Sequence, residues 1–219
     1  DNNFQAYQNI DFKVQRDCTT INNLQSTGTI SAGTDYDAPS GDAFVRIIST
    51  RLTAMGPEGG GTNKDPNDFS VYISDASDLS NQVTFTRNAN AEDTKVCWEI
   101  IEYTGPRGGA NEFVVLDQDS VTYTSSSTTV SGSAVSPADS SDVVVFITGQ
   151  ASQHSTNTDW NEAMSTSELV SGTTPTFTRG AASGAEDANQ ISYAVVEFKG
   201  YNWKVQRTEH NYAAAGVTE

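Results

Sequence analysis

The sequence predicts an all-β chain: two tandem antiparallel β-sandwich domains of the same topology, followed by an extended C-terminal arm. Three observations carry this expectation. Short runs rich in Val, Ile, Phe, Tyr and Thr alternate with clusters of Ser, Thr, Asn, Asp and Gly, the texture of strands and turns. No window of a dozen residues shows an apolar stripe at helical spacing. The motifs also recur. Phe85-Thr86-Arg87 returns as Phe177-Thr178-Arg179, Ala91-Glu92-Asp93 as Ala185-Glu186-Asp187, and the apolar run 96–105 as the run 191–200. Upstream, Ile30-Ser31 matches Val130-Ser131 and Asp42-Ala43-Phe44-Val45 matches Asp142-Val143-Val144-Val145. The spacing drifts slowly, as loops of unequal length make it, and a period this long marks whole domains in tandem.

The 219 residues thus divide into a first repeat, 1–106, a second repeat, 107–200, and an arm, 201–219. At about 100 residues each, the repeats are large enough to bury their own cores. Within them, Val83-Thr84-Phe85-Thr86-Arg87 alternates apolar and polar, as a half-buried strand does. Val114-Val115-Leu116, Val121-Thr122-Tyr123-Thr124 and Val143-Val144-Val145-Phe146-Ile147 follow, and residues 191–198 alternate again. Six to eight strands per repeat match the spacing of an antiparallel sandwich. A single helical turn is expected at 159–164, where Asp159 is placed to cap it. Long polar loops fall at 55–68 and 154–159, the first carrying Pro57-Glu58-Gly59-Gly60-Gly61. At 103–109, Pro106 ends a strand and the glycines turn the chain, so the domains touch or nearly touch. The tail beyond Arg207 has no pattern.

One short motif appears three times. Phe12-Lys13-Val14-Gln15-Arg16 matches Trp203-Lys204-Val205-Gln206-Arg207, and Phe113-Val114-Val115-Leu116-Asp117 has the equivalent place between the repeats. Three such strands for two domains leave one spare. It is a ragged end, the start of a further domain, or a strand that pairs with a sheet edge on a neighbouring molecule. Phe12, Val14, Arg16, Trp203, Val205 and Arg207 are therefore the candidate assembly residues.

Twelve Lys and Arg against 28 Asp and Glu give a net charge of −16. That balance argues against binding nucleic acid through its phosphates and against an anionic membrane surface. No apolar stretch has transmembrane length. The chain opens at Asp1 rather than Met, so the expectation is an N-terminus processed, trimmed or left out, with which any targeting segment could have been lost.

Catalytic constellations are not evident. His154 lies in a loop and His210 in the tail, neither with a counterpart in the matching repeat, which leaves a Ser-His-Asp arrangement without support. Glu102 recurs as Glu197, and the expectation is structural: a pairing with the equally repeated Arg87 and Arg179, or at least equivalent scaffold sites in the two repeats. Asp35-Tyr36-Asp37, Asp65-Pro66-Asn67-Asp68 and Asp75-Ala76-Ser77-Asp78 carry the oxygen ligands Ca²⁺ takes, but none matches a full calcium loop. No cofactor is expected beyond that. Trp98 aligns with Tyr193 and Phe69 with Trp160; matched aromatics are core first, with Trp160 a candidate sugar platform. Cys18 and Cys97 lie only in the first repeat. A bridge between its first and last strands is one reading. Two buried thiols is the expectation, since the second repeat dispenses with both.

Thr176-Phe177-Thr178-Arg179, taken with the strand 190–198 and with their counterparts Thr84 to Arg87 and Trp98 to Tyr103, resembles a β-rich repeat domain of tailed-bacteriophage virion surface proteins. The resemblance covers the latter part of each repeat. It implies a non-enzymatic structural role on a virus particle, as a capsid decoration or a tail or fibre appendage. The implied partners are other virion subunits, copies of the chain itself or a host-surface glycan. The alternative is an extracellular adhesin or filament subunit of a bacterial or archaeal cell surface, also able to bind glycans.

Overall fold

The computed structural model describes residues 11–22, 25–52, 71–73, 78–87, 93–124, 126–151, 165–180 and 190–207. These residues are all-β, with no α-helix among them. The first half supplies β1 (Phe12–Ile21), β2 (Thr27–Ser31), β3 (Ala43–Leu52), β4 (Val71–Ile73), β5 (Gln82–Arg87) and β6 (Thr94–Tyr103). The second supplies β7 (Phe113–Thr122), β8 (Thr129–Ser131), β9 (Val143–Ala151), β10 (Ser165–Val170), β11 (Thr174–Arg179) and β12 (Gln190–Phe198). One 3-10 turn, Ser140–Asp142, precedes β9, and the Asp139 side chain caps it by accepting from the Ser141 amide. The helical turn expected at 159–164 and the polar loops lie outside the described residues, as does the tail from 208.

Four three-stranded antiparallel sheets result. The first half forms β1-β6-β3 and β2-β5-β4; the second forms β7-β12-β9 and β8-β11-β10. Strand for strand, the two orders are the same. Even an irregularity recurs. Ile48 is an extra residue in β3 between Ile47 and Ser49, opposite Trp98 and Cys97. Thr148 is the extra residue of β9, between Ile147 and Gly149 and opposite Tyr193 and Ser192. A bulge bends a strand and increases its twist, so both third strands curve at the same register. β7 adds a bulge of its own at Leu116, whereas β1 pairs with β6 without a shift.

Three apolar clusters hold the sheets together. Ile21, Ile30, Val45, Ile73, Val83, Phe85, Val96, Trp98 and Ile100 fill the space between the first two sheets. Tyr123, Val143, Phe177, Ile191, Tyr193 and Val195 do the same in the second half. The third cluster draws Phe44 and Tyr103 from one half and Phe113, Ala194 and Val196 from the other. The sheets β1-β6-β3 and β7-β12-β9 therefore pack against each other, covering both faces of β12 and of the Ile100–Tyr103 end of β6. That is why β6 and β12 carry adjacent apolar pairs, Ile100-Ile101 and Val195-Val196, instead of strict alternation. Phe44 stacks on Phe146 across this junction at 5.3 Å between ring centroids. Asp42 Oδ1 accepts from the Val115 amide at 3.1 Å, and Gln118 Nε2 donates to the Ala43 carbonyl at 3.0 Å. The halves share a core rather than merely touching.

The expectation of two free thiols is corrected. Cys18 and Cys97 form a disulfide, with Cα atoms 4.0 Å apart. They stand directly opposite each other in the β1–β6 ladder, where cross-strand side chains are close enough to bridge. At the same register of β7 and β12 stand Ser120 and Ser192, so the scaffold forms without the bridge. The disulfide closes a separation of 79 residues, for which loop-closure entropy gives about 4 kcal/mol of stabilisation. Replacing both cysteines with Ser should retain the β-type far-ultraviolet spectrum while lowering unfolding free energy by about 2–5 kcal/mol in urea titration. Loss of the fold would contradict this.

Candidate assembly site

β1 is an edge strand, paired with β6 alone. Its first five residues are fixed by specific side-chain contacts. Phe12 meets Tyr103, Phe113 and Trp203, with ring centroids 5.8, 6.0 and 5.9 Å away. Lys13 Nζ lies 2.9 Å from Asp37 Oδ2. Val14 stands opposite Ile101. Gln15, 2% exposed, donates to the Asp37 carbonyl at 2.8 Å and accepts from the Asp37 amide at 2.6 Å. Arg16 Nε lies 2.5 Å from Glu99 Oε2, and Arg46 Nε donates to Oε1 of the same carboxylate at 2.5 Å. Glu99 is 2% exposed while both arginines reach solvent. Two guanidinium groups thus compensate one buried carboxylate, which an unpaired charge there would make costly.

The second half does not repeat this polar set. At the register of Glu99, Arg16 and Arg46 stand Ala194, Gln118 and Phe146. β7 replaces the Lys, Gln and Arg with Val114, Asp117 and Gln118, and Asp117 instead accepts from the Tyr193 hydroxyl at 2.8 Å. Burial, and then that carboxylate, push the Tyr193 phenol well above its ordinary value.

The C-terminal copy of the motif is in a different state. Residues 203–207 form no strand; Trp203 and Val205 are partly covered, and Lys204, Gln206 and Arg207 are exposed. Trp203, 38% exposed, stacks edge-on against Phe198 at 4.9 Å and against Phe12. Arg207 donates to the Ser140 carbonyl at 3.1 Å. The structure therefore brings Phe12 and Trp203 together but places the remaining candidate assembly residues of the two copies apart: Val14 and Arg16 in a ladder, Val205 and Arg207 on irregular backbone.

The direct Arg–Glu pairs are not formed; each repeated residue instead occupies an equivalent scaffold site in its half. Arg87 Nε and Nη2 donate to the carbonyls of Gln25 and Asn22 at 2.9 and 2.8 Å, and Nη1 to Thr94 Oγ1 at 2.7 Å. Arg179 Nε and Nη2 donate to the carbonyls of Ser127 and Thr124 at 2.9 and 3.0 Å. Each guanidinium forks onto the turn that joins the first two strands of its half. Arg179 also lies 4.5 Å above the Tyr123 ring, a cation–π contact. Burial lowers the proton affinity of Arg87, and nearby Asp93 opposes that effect.

The glutamates serve the opposite end. Glu102 Oε1 accepts from Ser40 N, Ser40 Oγ and Gly41 N at 2.6, 3.0 and 3.2 Å, and Glu197 Oε1 accepts from Asp139 N at 2.8 Å. Both therefore anchor the loop that enters the third strand. Gly41 is required there, since a Cβ would sit 2.6 Å from the Tyr103 carbonyl. Thr94, beside Arg87, and Glu102 stand at opposite ends of β6, roughly 25 Å apart at about 3.3 Å per residue. Charge alone suggested a pair that strand length forbids.

Asp35 and Asp37 bond Ser31 N and Lys13 respectively, and no group of three or more His, Cys, Asp or Glu fit to hold a metal occurs among the described residues. Asp65, Asp68, Asp75, Phe69, Trp160, His154 and His210 lie outside them. No described helix is long and apolar enough to cross a membrane. No family model, curated protein or solved structure matches this chain.

Two pairs of substitutions separate the roles. Arg179→Lys cannot fork onto two carbonyls and should lose on the order of 1–3 kcal/mol. Glu197→Ala should lose a similar amount by stranding the Asp139 amide. In urea unfolding, Arg87→Lys and Glu102→Ala should combine additively, within about 0.5 kcal/mol, because distant sites do not couple. A larger coupling would restore the direct pair.

Proposed function

We propose that the chain is two tandem copies of one β-sandwich domain, spanning 1–106 and 107–200, and that it serves as a non-enzymatic structural subunit on a virion surface. The observation that carries this reading is that repeated residues hold the scaffold. Arg87 and Arg179 fork onto corresponding turns, Glu102 and Glu197 anchor corresponding loops, and both ends of the motif are thereby used for folding. A duplicated scaffold presenting an exposed extra strand motif is suited to assembly. The acidic surface, at −16, favours partners other than nucleic acid.

A second reading, an adhesin or filament subunit on a cell surface, is equally compatible with the disulfide. Bridges of this kind persist in oxidising settings, which include both virions and cell surfaces. Immunogold labelling of purified particles and of intact cells distinguishes the two. The virion reading predicts regular label on particles and none on uninfected cells. Label confined to cell envelopes or shed filaments would contradict it and favour the second.

A further inference from the structure

Residues 203–207 repeat residues 12–16 at each position that makes a side-chain contact. Lys204, Val205, Gln206 and Arg207 are identical to Lys13, Val14, Gln15 and Arg16, and Trp203 stands for Phe12. Those contacts need Asp37 for the Lys and Gln and Glu99 for the Arg. Only the first half offers both. In the second half, Ala194 stands where Glu99 does, and the chain's own β7 carries none of the three polar residues. The C-terminal copy therefore has the side chains of a β1 strand for a first-half sheet, yet in its own chain it contacts neither Asp37 nor Glu99 and forms no ladder.

We infer that residues 203–207 of one chain take the place of residues 12–16 beside β6 in a second copy of the same chain. The incoming segment adopts the register of β1. Trp203 falls opposite Tyr103, Val205 opposite Ile101 and Arg207 opposite Glu99, as Phe12, Val14 and Arg16 do in the resident strand. The backbone ladder supplies attachment, and the Lys, Gln and Arg supply selectivity for this edge. The exchange ends at Arg207 because the next pair but one is Cys18–Cys97, which covalently fixes the rest of β1 to β6. A tail that enters the first half of the next molecule is a heterologous contact, so copies join head to tail into open chains or rings. The incoming strand reproduces the ladder and the Asp37 and Glu99 contacts of the outgoing one but gives up the Trp203 contacts with Phe12 and Phe198, so the exchange depends on protein concentration.

This deepens the assembly reading by naming the partner and the edge it uses. Sedimentation velocity on the oxidised full chain tests it across rising protein concentration. Association should grow with concentration and yield species larger than one chain. Arg207→Gln should weaken it by on the order of tenfold or more, by leaving Glu99 short of one guanidinium. Arg51→Gln, the same charge change on an exposed residue outside the motif, should leave it unchanged. Lys13→Ala weakens the resident strand alone and should strengthen association, whereas Lys204→Ala should weaken it. A single-chain species at every concentration overturns the inference, and so does association that responds to residue 207 but not, with opposite sign, to residue 13. Either result, alongside particle label by immunogold, removes the exchange and leaves the virion reading standing.

Discussion

Burial of the two central strands, β6 and β12, between apolar clusters governs the rest of this structure. β6 and β12 lie at the centre of their sheets, with one apolar cluster on one side and the shared cluster on the other. β12 has no solvent face on which to place polar residues, and β6 keeps one only around Lys95 and Cys97. A buried polar residue there is costly without a partner, since an unpaired buried group costs about 1–3 kcal/mol. Thr94, Glu99, Glu102, Ser192 and Glu197 each have one: Arg87, two arginines, a loop backbone, Thr148 with the Ile73 amide, and a loop backbone again. The buried Trp98 indole N–H in β6 is the exception, with no hydrogen-bond partner among the described residues. The loops and edge strands are positioned by what these central strands require.

The same constraint separates the two halves chemically. The first keeps an Arg–Glu–Arg group and a disulfide on the face of β6 that turns toward the junction. The second has Gln118, Ala194, Phe146 and a serine pair at those positions. Shared topology has allowed the polar fixtures to diverge, and the divergence makes one edge distinguishable from the other. A strand coded for one is poorly matched to the other, which is how specificity arises between nearly identical edges.

The repeat, the β character and the strands 83–87, 113–117, 143–147 and 191–198 were legible because they rest on local pattern and self-similarity. The adjacent pair Val195-Val196 breaks the alternation read over 191–198 because β12 is covered on both faces. The disulfide was missed because absence from the second repeat argued against need, whereas register alone decides whether two cysteines meet. The Arg87–Glu102 and Arg179–Glu197 pairs failed for a related reason. Opposite charges recurring in step look coupled, and only the length of β6 shows that they work at opposite ends. Glu99 gives no such signal in the sequence, since its partners Arg16 and Arg46 come from two different strands far away in sequence and the second half carries Gln118 and Phe146 at their register.

The central claim is that the halves are joined through the shared cluster of Phe44, Tyr103, Phe113, Ala194 and Val196 rather than strung as independent beads. Native-state hydrogen exchange read by mass spectrometry tests it most directly. The account predicts that amides of β6 and β12 open with the same free energy and the same denaturant dependence, as one cooperative unit. Amides of β12 that stay protected at denaturant concentrations where β6 has fully exchanged, or the reverse, would contradict it.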